Sequence, residues 1–416
     1  MELKRVVVTG IGALTPLGNN LNDYWNALLA GKSGAAPITL FDAEKFKTKF
    51  ACEVKGFDPV DYMDRKEARK MDRYCQLAVG AAEQGVKDSG LDSAKVDLAR
   101  IGVIWGSGIG GLDTFLTESK NYVRGDGTPR FNPFFIPKMI ADIAPGHISI
   151  KYGFRGPNFT TVSACASSTN ALIDSFNYIR LGMMDACVTG GSEAAVTEAG
   201  IGGFNSMHAL STRNDSPETA SRPFDNDRDG FVLGEGGACI VLEEYEHAKN
   251  RGAKIYAEIG GGGMSADAHH ITAPHPDGLG AKAVMENVLR DAGLTVSDID
   301  YINVHGTSTP LGDVAELKAI DAVFGESAYK MNISSTKSMT GHLLGAAGAI
   351  ETIAAIMAVR EGIVPPTINH FSDDPNIDSK LNLTFGSPQK REVNCAISNT
   401  FGFGGHNASV LVRKLQ

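Results

Sequence analysis

The chain has 416 residues, 43% hydrophobic and 21% charged, with a net charge of −9 at pH 7. That length buries a large core and suggests two or three domains, and the acidic balance excludes general nucleic-acid binding, which needs a basic face. No uninterrupted apolar run reaches the ~18 residues of a membrane span; the longest candidate, 346–364, is broken by Glu351, Arg360 and Glu361.

The start, Met1-Glu2-Leu3-Lys4-Arg5, has no apolar leader and runs into a strand predicted over 5–10. Arg65, Lys66, Arg69, Lys70 and Arg73 follow at helical spacing. A solvated surface helix paired with Asp64, Glu67 and Asp72 is the plain reading, and a docking patch for an acidic partner is the functional one. Further strands are predicted at 101–105, 186–189, 238–242, 255–259, 301–304, 395–398 and 409–412, with helix-like stretches between several of them, which is the pattern of an α/β protein. Glycines follow two of these strands, at Gly106-Ser107-Gly108 and at 260–263, and read as tight turns or close backbone approaches. The six cysteines, at 52, 75, 165, 187, 239 and 395, form no C-x-x-C pair, so neither a disulfide framework nor a zinc site is expected and a reducing cytoplasm fits.

The pattern is weakly duplicated. A strand and a glycine-rich turn open each half (5–10 and 255–259). Later in each comes a strand, a reactive-looking residue and a small-residue helix start, around Cys165 and around His342. A boundary at 252 divides 1–252 from 253–416.

Cys165 stands in Val162-Ser163-Ala164-Cys165-Ala166-Ser167-Ser168, between a predicted short strand and a helix whose Leu172, Ile173, Phe176 and Ile179 share a face and which Gly182 ends. A thiol in a first helical turn feels the positive end of the dipole, which favours the nucleophilic thiolate; the alternative is a small hydrophobe filling a tight contact. His305 follows a strand in Val304-His305-Gly306-Thr307-Ser308-Thr309, and His342 precedes a helix predicted over 343–360. Alone, each reads as a hydrogen-bonded turn residue. With the cysteine they are the parts of thioester chemistry, a sulfur that carries an acyl group and imidazoles that meet charge developing on oxygen. Glu351 is the one acid inside its alanine-rich helix before the last turn and needs a partner, for which Lys337 is placed, as a structural ion pair or as a charge that sets the field at His342.

Four ordered blocks carry a resemblance over essentially the whole chain: the Cys165 block, His305-Gly306-Thr307-Ser308-Thr309, Thr336-Lys337-Ser338-Met339-Thr340-Gly341-His342, and Ser398-Asn399-Thr400-Phe401-Gly402-Phe403-Gly404-Gly405. Together with Arg222-Pro223-Phe224-Asp225 and Arg228-Asp229-Gly230-Phe231 they resemble the β-ketoacyl-acyl carrier protein synthases, the condensing enzymes of fatty acid synthesis. His342 matches the elongating, synthase II type with a Cys-His-His set; the initiating synthases have Asn there. The resemblance implies a thiolase-like fold, two related halves in α-β-α-β-α layers, and a homodimer without metal or redox cofactor. It implies that Cys165 takes the acyl chain from an acyl carrier protein, that His305 and His342 hold the malonyl thioester, and that Lys337 and Glu351 support them. Backbone N–H groups of Cys165 and Phe401 would form the oxyanion hole. Thr307 and Thr309 would bind the pantetheine arm, and Ile109, Phe204, Phe401 and Phe403 would line the acyl pocket, where ordinary core packing is the plain alternative for Ile109 and Phe204. Lys66, Arg69 and Lys70 would dock the acidic carrier. His208, where many relatives have Arg, and His406, where Thr is common, depart from the pattern.

Three rivals remain. Gly106-Ser107-Gly108-Ile109-Gly110-Gly111 satisfies the dinucleotide fingerprint G-x-G-x-x-G, although no second strand ending in an acid follows it. A thiolase would need a second reactive cysteine, and Cys395 lies within a strand rather than in the glycine-rich turn. A silent, chain-length-setting subunit would lack the nucleophile that is present here.

Overall fold

The computed structural model describes residues 3–416. Ten strands form one mixed sheet: β1 (Val6–Leu14), β2 (Ile101–Gly106), β3 (Asn158–Thr161), β4 (Ala186–Glu193), β5 (Gly236–Glu244), β6 (Ala257–Ala266), β7 (Tyr301–Asn303), β8 (Asn332–Ser334), β9 (Cys395–Gly402) and β10 (His406–Arg413). Their order is β8-β7-β9-β10-β6-β1-β5-β4-β2-β3. Counted outward from the centre, the first half runs 1-5-4-2-3 and the second 6-10-9-7-8, the same path twice. The pairings repeat too: β5 is antiparallel to β1 and β4, and β10 to β6 and β9, while β2 and β7 each lie parallel to both neighbours. The halves meet where Val6, Val7 and Val8 pair antiparallel with Ile259, Glu258 and Ala257.

Five longer helices make the layers: α1 (Arg73–Ser89), α2 (Ser167–Arg180), α3 (Leu279–Ala292), α4 (Pro310–Phe324) and α5 (Ala347–Glu361). α2 and α5 pack on each other and on strands of both halves, α1 covers β1, β4 and β5, and α3 covers β6 and β10. Every residue of α5 from Ala347 to Val359 is buried, which suits a largely apolar helix packed against strands of both halves. The glycines at 260–263 lie inside β6 rather than in a turn after it, because helices press on both faces. A Cβ on Gly262 would meet Ile173 of α2 at 2.9 Å, and one on Gly263 the Val284 carbonyl of α3 at 2.5 Å.

The predicted strands are present, several of them longer than the apolar run that announced them. The strands expected before Cys165 and before the His342 block are β3 and β8, both short edge strands rich in Asn, Ser and Thr, where one or two apolar residues give no period to set their bounds. The basic stretch is not one helix. A single turn, Arg65–Ala68, is capped by Asp64; α1 then starts afresh at Arg73 with Asp72 as its cap. Asp72 is buried and bound by Thr114, and Arg73 donates to Glu235 at 2.7 and 2.6 Å, so both leave the surface cluster. Arg65, Lys66 and Arg69 stay exposed, and Lys70 pairs with Glu67 at 2.6 Å. Among the described residues no helix is long and apolar enough to cross a membrane.

Candidate active site

The chain leaves β3 at Thr161, passes Val162, which is exposed rather than in the strand, and makes a one-turn 3₁₀ helix, Ala164–Ala166, before α2 begins. Ala164 has φ +51°, strained backbone that the Ser167 hydroxyl pins by donating to the Ala164 carbonyl at 2.7 Å while accepting from the Ser163 N–H. The small residues around the cysteine serve this crossing: a Cβ on Gly106 of β2 would lie 2.4 Å from the Ser168 nitrogen. The second half repeats the device, with Leu344 at φ +48° and a 3₁₀ turn, Leu344–Ala346, before α5. The true counterpart of Cys165 is therefore Gly345, and His342 stands three residues earlier.

That offset brings His342 Nε2 to 3.0 Å from Cys165 Sγ. The His342 backbone is fixed on the Val232 carbonyl at 2.8 Å. His305, leaving β7, meets His342 edge to face with ring centroids 5.2 Å apart, and the Phe401 ring lies 5.7 Å from His305. The Lys337 ammonium and the Glu351 carboxylate are in contact, both side chains 1% exposed.

Burial dominates the electrostatics. It pushes the Cys165 thiol up to about 12, outweighing the Lys337 charge and the Phe403 backbone N–H that favour the thiolate. Burial and Lys337 hold both imidazoles well below their ordinary range. The resting set is a neutral thiol beside two neutral imidazoles, not the preformed thiolate expected from a helix start. Cys165 lies two residues before the first residue of α2, and desolvation exceeds what the dipole supplies. Alkylation of Cys165 by iodoacetamide is therefore expected to climb about tenfold per pH unit from pH 7 to 10; a plateau below pH 8, followed by mass spectrometry, would contradict a buried neutral thiol.

The backbone N–H of Phe403 favours the Cys165 thiolate, whereas the resemblance names that of Phe401 for the oxyanion hole. The chain reaches it through Gly402, where a Cβ would sit 3.1 Å from the Cys165 nitrogen. Cys165, His305, His342, Phe401, Phe403, Thr307, Thr309, Ile109 and Phe204 all line one cavity of about 560 Å³. The Thr307 and Thr309 hydroxyls are 3.0 Å apart. Lys337 and Glu351 stand behind this lining, and Lys66, Arg69 and Lys70 lie outside it. His208 lines the cavity and is exposed; His406 is exposed with its ring against Gly404.

Two buried acids escaped the sequence reading. Glu316 of α4 accepts the N–H groups of His305 and Gly306 at 2.9 and 2.8 Å, and burial pushes its carboxyl up to about 7. Glu193, ending β4, accepts from Ser107, Gly108, Ile109, Gly110 and Gly345. The G-x-G-x-x-G amides are thus satisfied by a protein carboxylate, which removes the argument for a dinucleotide phosphate there. Cys395 is a buried residue of β9 packed in the core beneath α3 and α4. The only signal for either acid was an ionisable group within an apolar or glycine-rich run.

The sequence matches the β-ketoacyl synthase N-terminal domain over residues 3–248 and its C-terminal domain over 256–371. It is 50% identical over 416 residues to a 3-oxoacyl-(acyl-carrier-protein) synthase 2 of Synechocystis sp., covering 100% of this chain and 99% of that one. It is 49% identical over 415 residues to the like-named protein of Coxiella burnetii, covering 100% of both. Among solved structures, a β-ketoacyl synthase from Burkholderia phymatum is 36% identical, with a TM-score of 0.91 over 99% of this chain and 100% of that one. A ketosynthase solved with its type II polyketide acyl-carrier protein, AntDE:AntF, is 32% identical, with a TM-score of 0.88 over 100% of both chains. A duplicated α/β fold that brings a cysteine and two neutral histidines into one largely apolar cavity defines a thiolase-like acyl-transfer enzyme. Within that class, the chain belongs to the β-ketoacyl synthase family.

Proposed function

We propose that this enzyme elongates fatty acids by decarboxylative Claisen condensation, joining acyl-carrier protein to malonyl-carrier protein and giving 3-oxoacyl-carrier protein, free carrier and carbon dioxide. The 3.0 Å approach of His342 Nε2 to Cys165 Sγ, in a cavity shared with His305, carries the reading. His342 takes the thiol proton as sulfur attacks the acyl thioester; the acyl–sulfur bond to Cys165 forms, the bond to the carrier's pantetheine sulfur breaks, and the leaving sulfur receives the proton. The malonyl thioester then replaces it, and its terminal carbon–carbon bond breaks to release carbon dioxide. The electron pair left on the α-carbon is held as an enolate whose oxygen is met by His305 and His342. The enolate attacks the acyl-cysteine carbonyl; a carbon–carbon bond forms, the acyl–sulfur bond breaks, and the Cys165 thiolate takes up a proton from solvent through His342. The Cys165 and Phe403 amides serve the oxyanion in both acyl transfers, at ~3 kcal/mol per donor.

Thr307 and Thr309 are assigned to the pantetheine arm, and Ile109, Phe204 and the Phe401 and Phe403 rings to the acyl chain. The two halves, 1–252 and 253–416, form one catalytic unit, since cysteine and histidines come from different halves. A second copy is assigned to the edge strand β3, directly after which Val162 is exposed. The reaction is placed in the cytoplasm, consistent with six unbridged cysteines. Incubation with acyl-carrier proteins of graded length tests the whole: the Cys165 peptide should gain the acyl mass, then lose it on adding malonyl-carrier protein as carbon dioxide is released. Mass on another peptide, or turnover without carbon dioxide, would refute it.

Lys66, Arg69 and Lys70 are assigned to the acidic carrier. Reversing two of them, Lys66→Glu with Arg69→Glu, should raise KM for carrier-bound substrate about tenfold at low salt. The difference should shrink at high salt, and small pantetheine thioesters should be used at the wild-type rate.

A further inference from the structure

Glu193 is buried, and five donors converge on its carboxylate from both halves of the molecule. Its Oε1 accepts from the Ser107 hydroxyl at 3.1 Å and from the Ile109 and Gly110 N–H groups at 3.2 Å each. Its Oε2 accepts from the Gly108 N–H at 2.7 Å and from the Gly345 N–H at 3.1 Å. The first four belong to the turn that carries Ile109, the fifth to the turn that carries Leu344, and Ile109 and Leu344 both line the cavity of Cys165. The turns touch backbone to backbone: a Cβ on Gly345 would lie 2.3 Å from the Gly108 nitrogen and 2.6 Å from Glu193 Oε2. Gly110 at φ +79° and Leu344 at φ +48° lie in the left-handed region, which for leucine persists only with an outside tie.

We propose that Glu193 is a positioning residue that fixes the gap between the Ile109 and Leu344 turns, and thereby decides which acyl chains reach Cys165. The proposal rests on the condensing reading above and adds the residue that governs its selectivity. A carboxylate is required because all five partners donate. An amide in its place turns an NH₂ group toward N–H groups, frees one turn from the other and lets the wall close on a long chain. Glutamate length is required because one carboxylate spans two turns.

The test is the ratio of Cys165 acylation rates with a twelve-carbon and a four-carbon acyl-carrier protein, read by mass spectrometry. Glu193→Gln should lower that ratio about tenfold through misplacement of the wall. Iodoacetamide should still alkylate Cys165 at the wild-type rate or faster, since the carboxylate no longer opposes thiolate formation. Glu193→Asp, which keeps the charge but not the reach, should not restore the ratio. Ser107→Ala removes one donor and should shift the ratio in the same direction by about two- to threefold; it decides the matter if Glu193→Gln does not fold. Equal loss at both chain lengths, or an unchanged ratio in the soluble variants, overturns the role of Glu193. Absence of acyl-Cys165 in the wild type would instead overturn the condensing reading itself.

Discussion

Cys165→Ala is expected to abolish acyl transfer, lowering condensation by about 10⁴-fold or more, because no neighbouring group replaces the sulfur as nucleophile. The other five cysteines are buried in packed regions away from the cavity lining. Malonyl decarboxylation needs only a held enolate oxygen, so Cys165→Gln, whose amide occupies the space of an acyl-cysteine, should keep releasing carbon dioxide from malonyl-carrier protein. The histidines separate by geometry. His305→Ala should cost decarboxylation about 10²–10⁴-fold while sparing Cys165 acylation. His342→Ala should impair both, since its Nε2 is the proton acceptor 3.0 Å from the sulfur. Single-turnover acylation measured beside carbon dioxide release distinguishes these outcomes, and full condensing rate in Cys165→Ala would sink the nucleophile assignment.

Local signals made much of this legible in the sequence. Apolar runs at 395–398 and 409–412 announce the strands Cys395–Gly402 and His406–Arg413, and the duplication is visible because two strands open two similar stretches. The cysteine and histidines were recognisable from their glycine- and serine-rich settings, and their meeting was implied only once motifs 177 residues apart matched one family. Long-range choices were hidden. Arg73 has the same spacing as its basic neighbours, and only the fold shows that it turns inward to Glu235. Glu193 is an anonymous acid until turns distant in sequence bring amides to it, and Glu316 until α4 folds back on the turn just before it. The helix start favours the Cys165 thiolate on paper, and burial, which outweighs it, is a property of the assembled fold that the sequence does not show.

Lys337 and Glu351 give the second large effect and decide between an ion pair that stabilises the core and a charge that tunes the site. Burial pushes the Glu351 carboxyl up to about 7 against the pull of Lys337, and the two side chains lie in contact at 1% exposure. Lys337→Ala leaves that carboxylate without its counter-ion and should cost about 3–5 kcal/mol in urea denaturation. The double change Lys337→Met with Glu351→Leu removes both charges at similar volume and should restore stability to within about 1–2 kcal/mol of wild type. Activity should not return with it. Lys337 pulls the Cys165 thiol down and pushes His305 and His342 down, so its loss makes thiolate formation harder and moves both imidazoles back toward their ordinary range. Neutral imidazoles are then lost to protonation at higher pH than in the wild type, and the acid limb of malonyl decarboxylation should shift upward. A double variant with wild-type stability and a wild-type pH profile would make the pair structural only; restored stability with a displaced acid limb assigns Lys337 to the chemistry of the three residues in front of it.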